Sequence, residues 1–176
     1  MKEFAKEWLP YIIIALTIIL LRTYVITPVI VKGDSMFPNF IDKEILFLSK
    51  ISYRNKEIKR FDVVVVNTDN DLIIKRVIGL PGEKVEYKDN KLYINDELVE
   101  DIYGSSETAD FDTEDICEIR KDNCTTIIPK DKYLVLGDNR EISADSRVKG
   151  FFTKEEIKGK IVFRLWPFNK LGKIEQ

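Results

Sequence analysis

Ser35 stands in the stretch VKGDSMFPNF, residues 31 to 40, entered through a glycine and left through a proline. A serine so placed can act as a nucleophile only if a neighbouring group takes its proton. The 176-residue chain contains no histidine, which excludes a Ser-His-Asp triad, a Cys-His pair and histidine-ligated metal hydrolysis. Any hydrolytic chemistry must come from Ser, Thr, Lys, Asp, Glu, Tyr or Cys. Among these, the group that can accept a serine proton near neutrality is a lysine taken out of water, because burial disfavours the ammonium and lowers its pKa.

Most lysines lie in polar runs such as YRNKEIKR, where a solvated ammonium is the expected state. Lys75 does not: it sits in LIIKRVIGLPG. Strand alternation there puts Ile73, Lys75 and Val77 on one face, and Leu72, Ile74, Arg76 and Ile78 on the other. One cation of the Lys75–Arg76 pair must lean toward an apolar face. Arginine cannot usefully deprotonate, so Lys75 is the candidate base if its face is the buried one; a lysine snorkelling from an edge strand fits the same pattern. A second constellation, LGDNREISADSR at 136 to 147, gathers turn residues after an apolar run. Asp145 and Arg147 are spaced to pin that loop as an ion pair, and Ser143 can exchange a hydrogen bond with a neutral lysine amine. A plain solvated turn accounts for the same composition.

The elements that must position these residues read as strands: EILFLSK at 44 to 50, RFDVVVVN at 60 to 67, DLIIKRVIGL at 71 to 80, KYLVLGD at 132 to 138 and KGKIVFRLWPF at 158 to 168. KVEYKDNKLYINDELV, from residue 84, reads as a hairpin turning at Asp89-Asn90. TKEEIKG, from 153, suggests a helical turn or two, and the acidic stretch from 103 to 123 an exposed loop or an excursion of the hairpin subdomain. The fold expected is mainly β, one principal domain with a small β-hairpin subdomain.

Before it comes WLPYIIIALTIILL, residues 8 to 21, without a charge. Fourteen helical residues reach only ~21 Å, but a helix running on to Ile26 and stopped by Pro28 reaches ~28 Å, close to the thickness of a hydrocarbon core. The exit, RTYVITPVI, is bulky rather than the small-residue pattern of a cleavable signal. An uncleaved anchor over about 8 to 26 is therefore expected, giving a membrane segment at 1 to 27 and a catalytic domain at 28 to 176, with a variable insertion at about 85 to 128. A cleaved signal and a buried helix are the competing readings. Lys2 and Lys6 on one side balance Arg22 and Lys32 on the other, so charge leaves orientation open.

Composition narrows the partners. Charged residues make up 33% and sum to a net charge of −2, without the basic face of a nucleic-acid binder. Cys117 and Cys124 can close a short disulfide or stay as thiols, and without histidine they make no convincing zinc site, so no metal and no cofactor are expected.

Taken together, GDSMFP, IIKRVIGLPGE and GDNREISADSR, in that order behind an apolar anchor and with RFDVVVV between the first two, resemble the boxes of the bacterial type I signal peptidases. These are membrane-anchored Ser-Lys proteases that remove signal peptides from exported proteins. The resemblance implies Ser35 as nucleophile, Lys75 as general base, Ser143 as a hydroxyl orienting the amine, and Asp145 with Arg147 as an ion pair shaping the loop. It implies a monomer with no cofactor, a cytoplasmic N-terminus and a catalytic domain outside the membrane, near the export machinery. Its substrates are signal peptides bound as extended strands, with small residues at the first and third positions before the cut.

Ile74 and Met36 are the candidate pocket residues. Met36 and Phe37, taken as exposed on the turn, either dip into the membrane interface or pack inward. Some family members carry a serine two residues before the nucleophile to help hold the oxyanion. Here that residue is Gly33, which leaves the Ser35 backbone N–H as the identified donor. Two other readings remain: a self-cleaving repressor-type Ser-Lys protein, and a non-catalytic tethered β domain.

Overall fold

Four consecutive valines, Val63 to Val66, are all buried. Alternation sends Val63 and Val65 into one apolar cluster, with Met36, Phe40, Leu46 and Ile161, and sends Val64 and Val66 into another, with Val77, Val135 and Phe152. A strand apolar at every position has to be covered on both faces, and a curled sheet supplies that cover. The computed structural model describes residues 2–54, 56–68, 71–120 and 126–174, with side chains from Glu7 onward.

The chain begins with α1 (Lys2–Tyr24) and β1 (Ile26–Ile30), followed by β2 (Ile45–Ser49), β3 (Val63–Asn67) and β4 (Leu72–Gly79). A smaller sheet uses β5 (Val85–Lys88), β6 (Lys91–Ile94), β7 (Glu97–Val99) and β8 (Phe111–Asp112), and leads into α2 (Thr113–Ile119). The chain then returns through β9 (Lys132–Leu136), α3 (Ser146–Lys149), β10 (Phe152–Thr153), β11 (Ile157–Trp166) and β12 (Gly172–Lys173). The main sheet runs β1-β2-β11-β3-β4-β9-β10, with β12 on β11; the small one runs β7-β6-β5-β8. Val85, Tyr87, Leu92 and Phe111 of the small sheet share a core with Ile78, Leu134, Leu136 and Phe151.

The five expected main-sheet strands are present within a residue or two at most ends, as is the hairpin at Asp89-Asn90. Both turn residues take positive φ, 49° and 60°, as a two-residue type I′ turn needs. Asn95 and Asp96, at 52° and 67°, make a second turn of the same kind, between β6 and β7.

Of the two readings of the acidic stretch, the excursion of the hairpin subdomain holds: Phe111 and Asp112 pair with β5, Asp112 accepts from the backbone N–H of Glu114 and Asp115, the Asp115 carboxylate accepts from the Asp112 N–H, and this capping box starts α2 over buried Ile116 and Cys117. Two expectations fail locally. TKEEIKG is not helical. Thr153 and Glu156 exchange capping-type bonds, the Thr153 N–H donating to Glu156 at 2.6 Å, but Ile157 is then paired in β11 opposite Val66. Finally, α1 stops at Tyr24 rather than at Pro28, which sits within edge strand β1 opposite Phe47. Proline lacks only an N–H, and an edge strand has a side where none is required. Cys124 lies outside the described residues, and the question of a disulfide with it.

All described side chains of α1 from Glu7 to Tyr24 are exposed, and this 18-residue segment has mean hydropathy 1.4, long and apolar enough to cross a membrane. That sets aside the buried-helix reading. The end of α1 is fastened to the sheet: Thr27 Oγ1 donates to the Arg22 carbonyl at 2.9 Å, and Lys50 Nζ to the Thr23 carbonyl at 3.0 Å. These satisfy carbonyls that a helix end leaves open. A paired strand, rather than a free linker, thus leads from α1 toward Ser35.

Candidate active site

The turn carrying Ser35 is built on buried side chains at 31, 36 and 40. Val31, Met36 and Phe40 are at most 2% exposed and form the core beneath it. Of the two fates open to this pair, Met36 packs inward, its side chain anchoring the turn, while Phe37, 47% exposed, projects outward. The Phe40 N–H donates to the Met36 carbonyl at 2.9 Å, and the Phe37 N–H to Asp34 at 3.1 Å. Gly33 enters the turn at φ 73°, its N–H donating to Asp42 Oδ1 at 2.9 Å. From the far loop, the Asn139 N–H donates to the Ser35 carbonyl at 3.1 Å.

Lys75 arrives on β4, opposite Val64. It is 3% exposed, and its Nζ lies 2.7 Å from Ser35 Oγ. Burial pushes the ammonium down to about 8, while Asp145 and Asp138 pull it back up and Arg147 and Lys149 push it down again. A shift of this size disfavours the charged form by roughly 3 kcal/mol, and leaves about a tenth of the lysine neutral at pH 7. As an ammonium, Lys75 donates to the hydroxyl. Once neutral, the same contact reverses and Ser35 O–H donates to the amine, the arrangement proton abstraction requires.

Arg76, the next residue, is 2% exposed, so both cations of the pair are buried. It is matched by Asp138: Nε to Oδ1 at 2.8 Å and Nη2 to Oδ2 at 2.7 Å, with Nη1 on the Phe61 carbonyl at 3.0 Å and the guanidinium 3.7 Å from the centre of the Tyr103 ring. Asn39 Nδ2 joins at 2.9 Å from Asp138 Oδ2. A further buried arginine, Arg140, donates to the Gly137 carbonyl at 2.9 Å and Tyr87 Oη at 2.6 Å, and pairs with Asp101. Sequence reading assigned no role to Arg76, Asp138, Arg140 or Asn39. Asp138 and Arg140 stood within GDNR, but only the fold shows that their partners come from β4, the small sheet and the 101 to 108 segment.

Asp145 caps α3 and holds Arg147 through two bonds of 2.9 Å, and its Oδ2 also accepts from the Gly137 N–H at 3.0 Å. Ser143 is 7% exposed and its Oγ has no hydrogen-bond partner among the described residues, so the contact expected with Lys75 is not formed. The hydroxyl instead lies against Gly137. A Cβ on Gly137 would fall 2.2 Å from Ser143 Oγ and 2.4 Å from the Ser35 carbonyl oxygen, so only glycine lets these segments approach.

Beside the pair opens a groove of about 900 Å³ lined by Ser35, Lys75, Met36, Ile74, Val29 and others. Among the described residues β1 pairs with β2 alone, and β4 gains β9 only from Arg76 onward. Leu72 to Lys75 and the outer side of β1 thus bound it with unpaired strand edge among the described residues.

The family model described as "Signal peptidase, peptidase S26" matches residues 2–166. Signal peptidase IB of Staphylococcus aureus is 38% identical over 97% of this chain and 94% of its own length. Signal peptidase I S of Bacillus subtilis is 37% identical over 98% and 95%. The crystal structure of a signal peptidase I from Enterococcus faecalis superposes with a TM-score of 0.52 at 33% identity, covering 60% of this chain and 97% of that one. A mainly β peptidase fold is thus combined with an apolar N-terminal helix, and the chain belongs to the signal peptidase S26 family.

Proposed function

We propose that this chain is a membrane-tethered serine endopeptidase that releases exported proteins from their signal peptides with a Ser35–Lys75 dyad. The observation that carries the reading is the 2.7 Å contact between Ser35 Oγ and a buried lysine to which no carboxylate is hydrogen-bonded among the described residues. Neutral Lys75 takes the Ser35 proton as Oγ attacks the peptide carbonyl, the ammonium so formed protonates the leaving amine, and Lys75 then activates water to hydrolyse the acyl-enzyme. The Ser35 N–H has no acceptor among the described residues and is available to the oxyanion. Apart from its chain neighbours, no heavy atom lies within 4 Å of a Cβ built on Gly33, so the space a serine side chain would occupy there is open to water. Ser143 steadies the amine once Ser35 Oγ has turned toward substrate, and Asp145 with Arg147 holds the loop.

The substrate lies extended against the unpaired strand edges. Ile74 and the Met36 backbone turn leave shallow apolar space suited to small side chains before the cut. The N-terminus lies in the cytoplasm and the catalytic domain outside, acting as a monomer where preproteins leave the export machinery.

The test is incubation of the detergent-solubilised full chain with a signal-peptide-bearing preprotein, alongside Ser35→Ala, Lys75→Ala and Lys75→Arg. Cleavage after a small residue by the parent protein and none by the three variants, each still folded, is expected. Cleavage retained by any variant removes that residue from the mechanism.

A further inference from the structure

Lys75 and Arg76 are consecutive in a strand and point to opposite faces. On the Arg76 side is a second cavity of about 300 Å³, lined by Arg76, Arg164, Lys170 and Lys173. Four cationic side chains around so small a space need counter-charge, and two carboxylates provide it. Asp138 is consumed by Arg76. Glu44, 3% exposed, lies 3.0 Å from Arg164 Nε, but that nitrogen and both Glu44 oxygens are outside hydrogen-bond geometry. The ammonium groups of Lys170 and Lys173 make no hydrogen bond or ion pair among the described residues. Among the described residues, four positive charges against two negative leave a surplus of two, matching a phosphate in charge.

The donors are held in place. Arg76 stacks on Tyr103 at 3.7 Å, and Arg164 lies over Phe40 at 5.1 Å with Nη2 on the Asn39 carbonyl at 2.6 Å. Guanidinium planes fixed by aromatic rings, with exposed ammonium groups beside them, form the usual chemistry for a tetrahedral oxyanion. Glu44 opposes an anion only weakly because it is already directed at Arg164. We propose that this cavity binds a phosphate group.

Two sources offer that chemistry: free phosphate, and the headgroup of an anionic lipid. Trp166, Phe168 and Leu171 are exposed beside the lysines, side chains suited to a bilayer interface. The full chain in detergent is to be followed by thermal unfolding, first with inorganic phosphate at constant ionic strength made up with chloride, then with phosphatidylglycerol against phosphatidylcholine in mixed micelles. An upward shift with inorganic phosphate identifies the free ion, and one with phosphatidylglycerol alone identifies the headgroup.

In either case Lys170→Ala/Lys173→Ala is expected to weaken the apparent affinity by about tenfold or more, while cleavage of a short soluble peptide stays at the parent rate. Equal shifts in the parent and the double variant, or no shift with either probe, would overturn the proposal.

Discussion

Lys75 and Arg76 are both cations, adjacent and almost wholly buried, yet the protein treats them in opposite ways. Arg76 receives a bidentate carboxylate, a backbone carbonyl and an aromatic face, so its charge is permanent and fully answered. Lys75 receives one serine hydroxyl, with the carboxylates of Asp145 and Asp138 near enough to be felt but not hydrogen-bonded to it. Burial with a partner makes a structural rivet; burial without one makes a group that can shed its proton. The two are also linked, because Asp138 grips Arg76 and its neighbour Asn139 holds the Ser35 carbonyl.

The sharpest way to break this contrast is to exchange the two chemistries. Lys75→Arg keeps the charge and removes the basicity, so preprotein cleavage should fall to background, a loss on the order of 10⁴-fold or more, with the circular dichroism spectrum unchanged. Gly137→Ala leaves both cations in place but forces a methyl between the Ser143 hydroxyl and the Ser35 carbonyl. Its kcat should drop by about 10²-fold, as misplacement of a reacting group does, measured with a peptide substrate.

Asp138→Asn strips Arg76 of its counter-charge, and chemical denaturation should show a loss of about 3 to 5 kcal/mol, the penalty for breaking a buried pair. Here the largest effect falls on stability and the activity loss follows from it.

The pH profile tests the other half. In the proposed dyad the active form is the neutral amine, so kcat/KM should rise with pH through an apparent pKa of about 8 and level off above it. A rate flat from acid to alkaline pH would count against a lysine base. The smallest effect is expected at Lys149, whose charge helps lower the Lys75 pKa. Lys149→Gln should move the rising limb slightly to higher pH without altering the plateau.

Much of the candidate site was legible in order along the chain. The absence of histidine forces the search toward lysine, LIIKRVIG marks one lysine in an apolar strand, and alternation alone puts Lys75 and Arg76 on opposite faces. The strands and the Asp89-Asn90 hairpin follow from local pattern, since period-two burial and turn chemistry act over a few residues. What local pattern left open or missed was decided by distant partners. α2 forms because Ile116 and Cys117 find a core to cover, TKEEIKG is pulled out of its capping turn by pairing with β3, and Met36 is drawn under the turn rather than out to the membrane interface.

By itself, then, the sequence determined which residues were able to do chemistry here and which mechanisms were closed, because those depend on side-chain type and near-neighbour spacing. Only the tertiary structure decided that both cations are buried, that Asp138 answers one of them while the other stands within reach of Ser35, and that Ser143 rests against Gly137. The partners are separated by 40 residues for Lys75 and Ser35 and by 62 for Arg76 and Asp138. Desolvation and ion pairing act through space, and the curl of the sheet is what brings such distant residues within hydrogen-bonding distance.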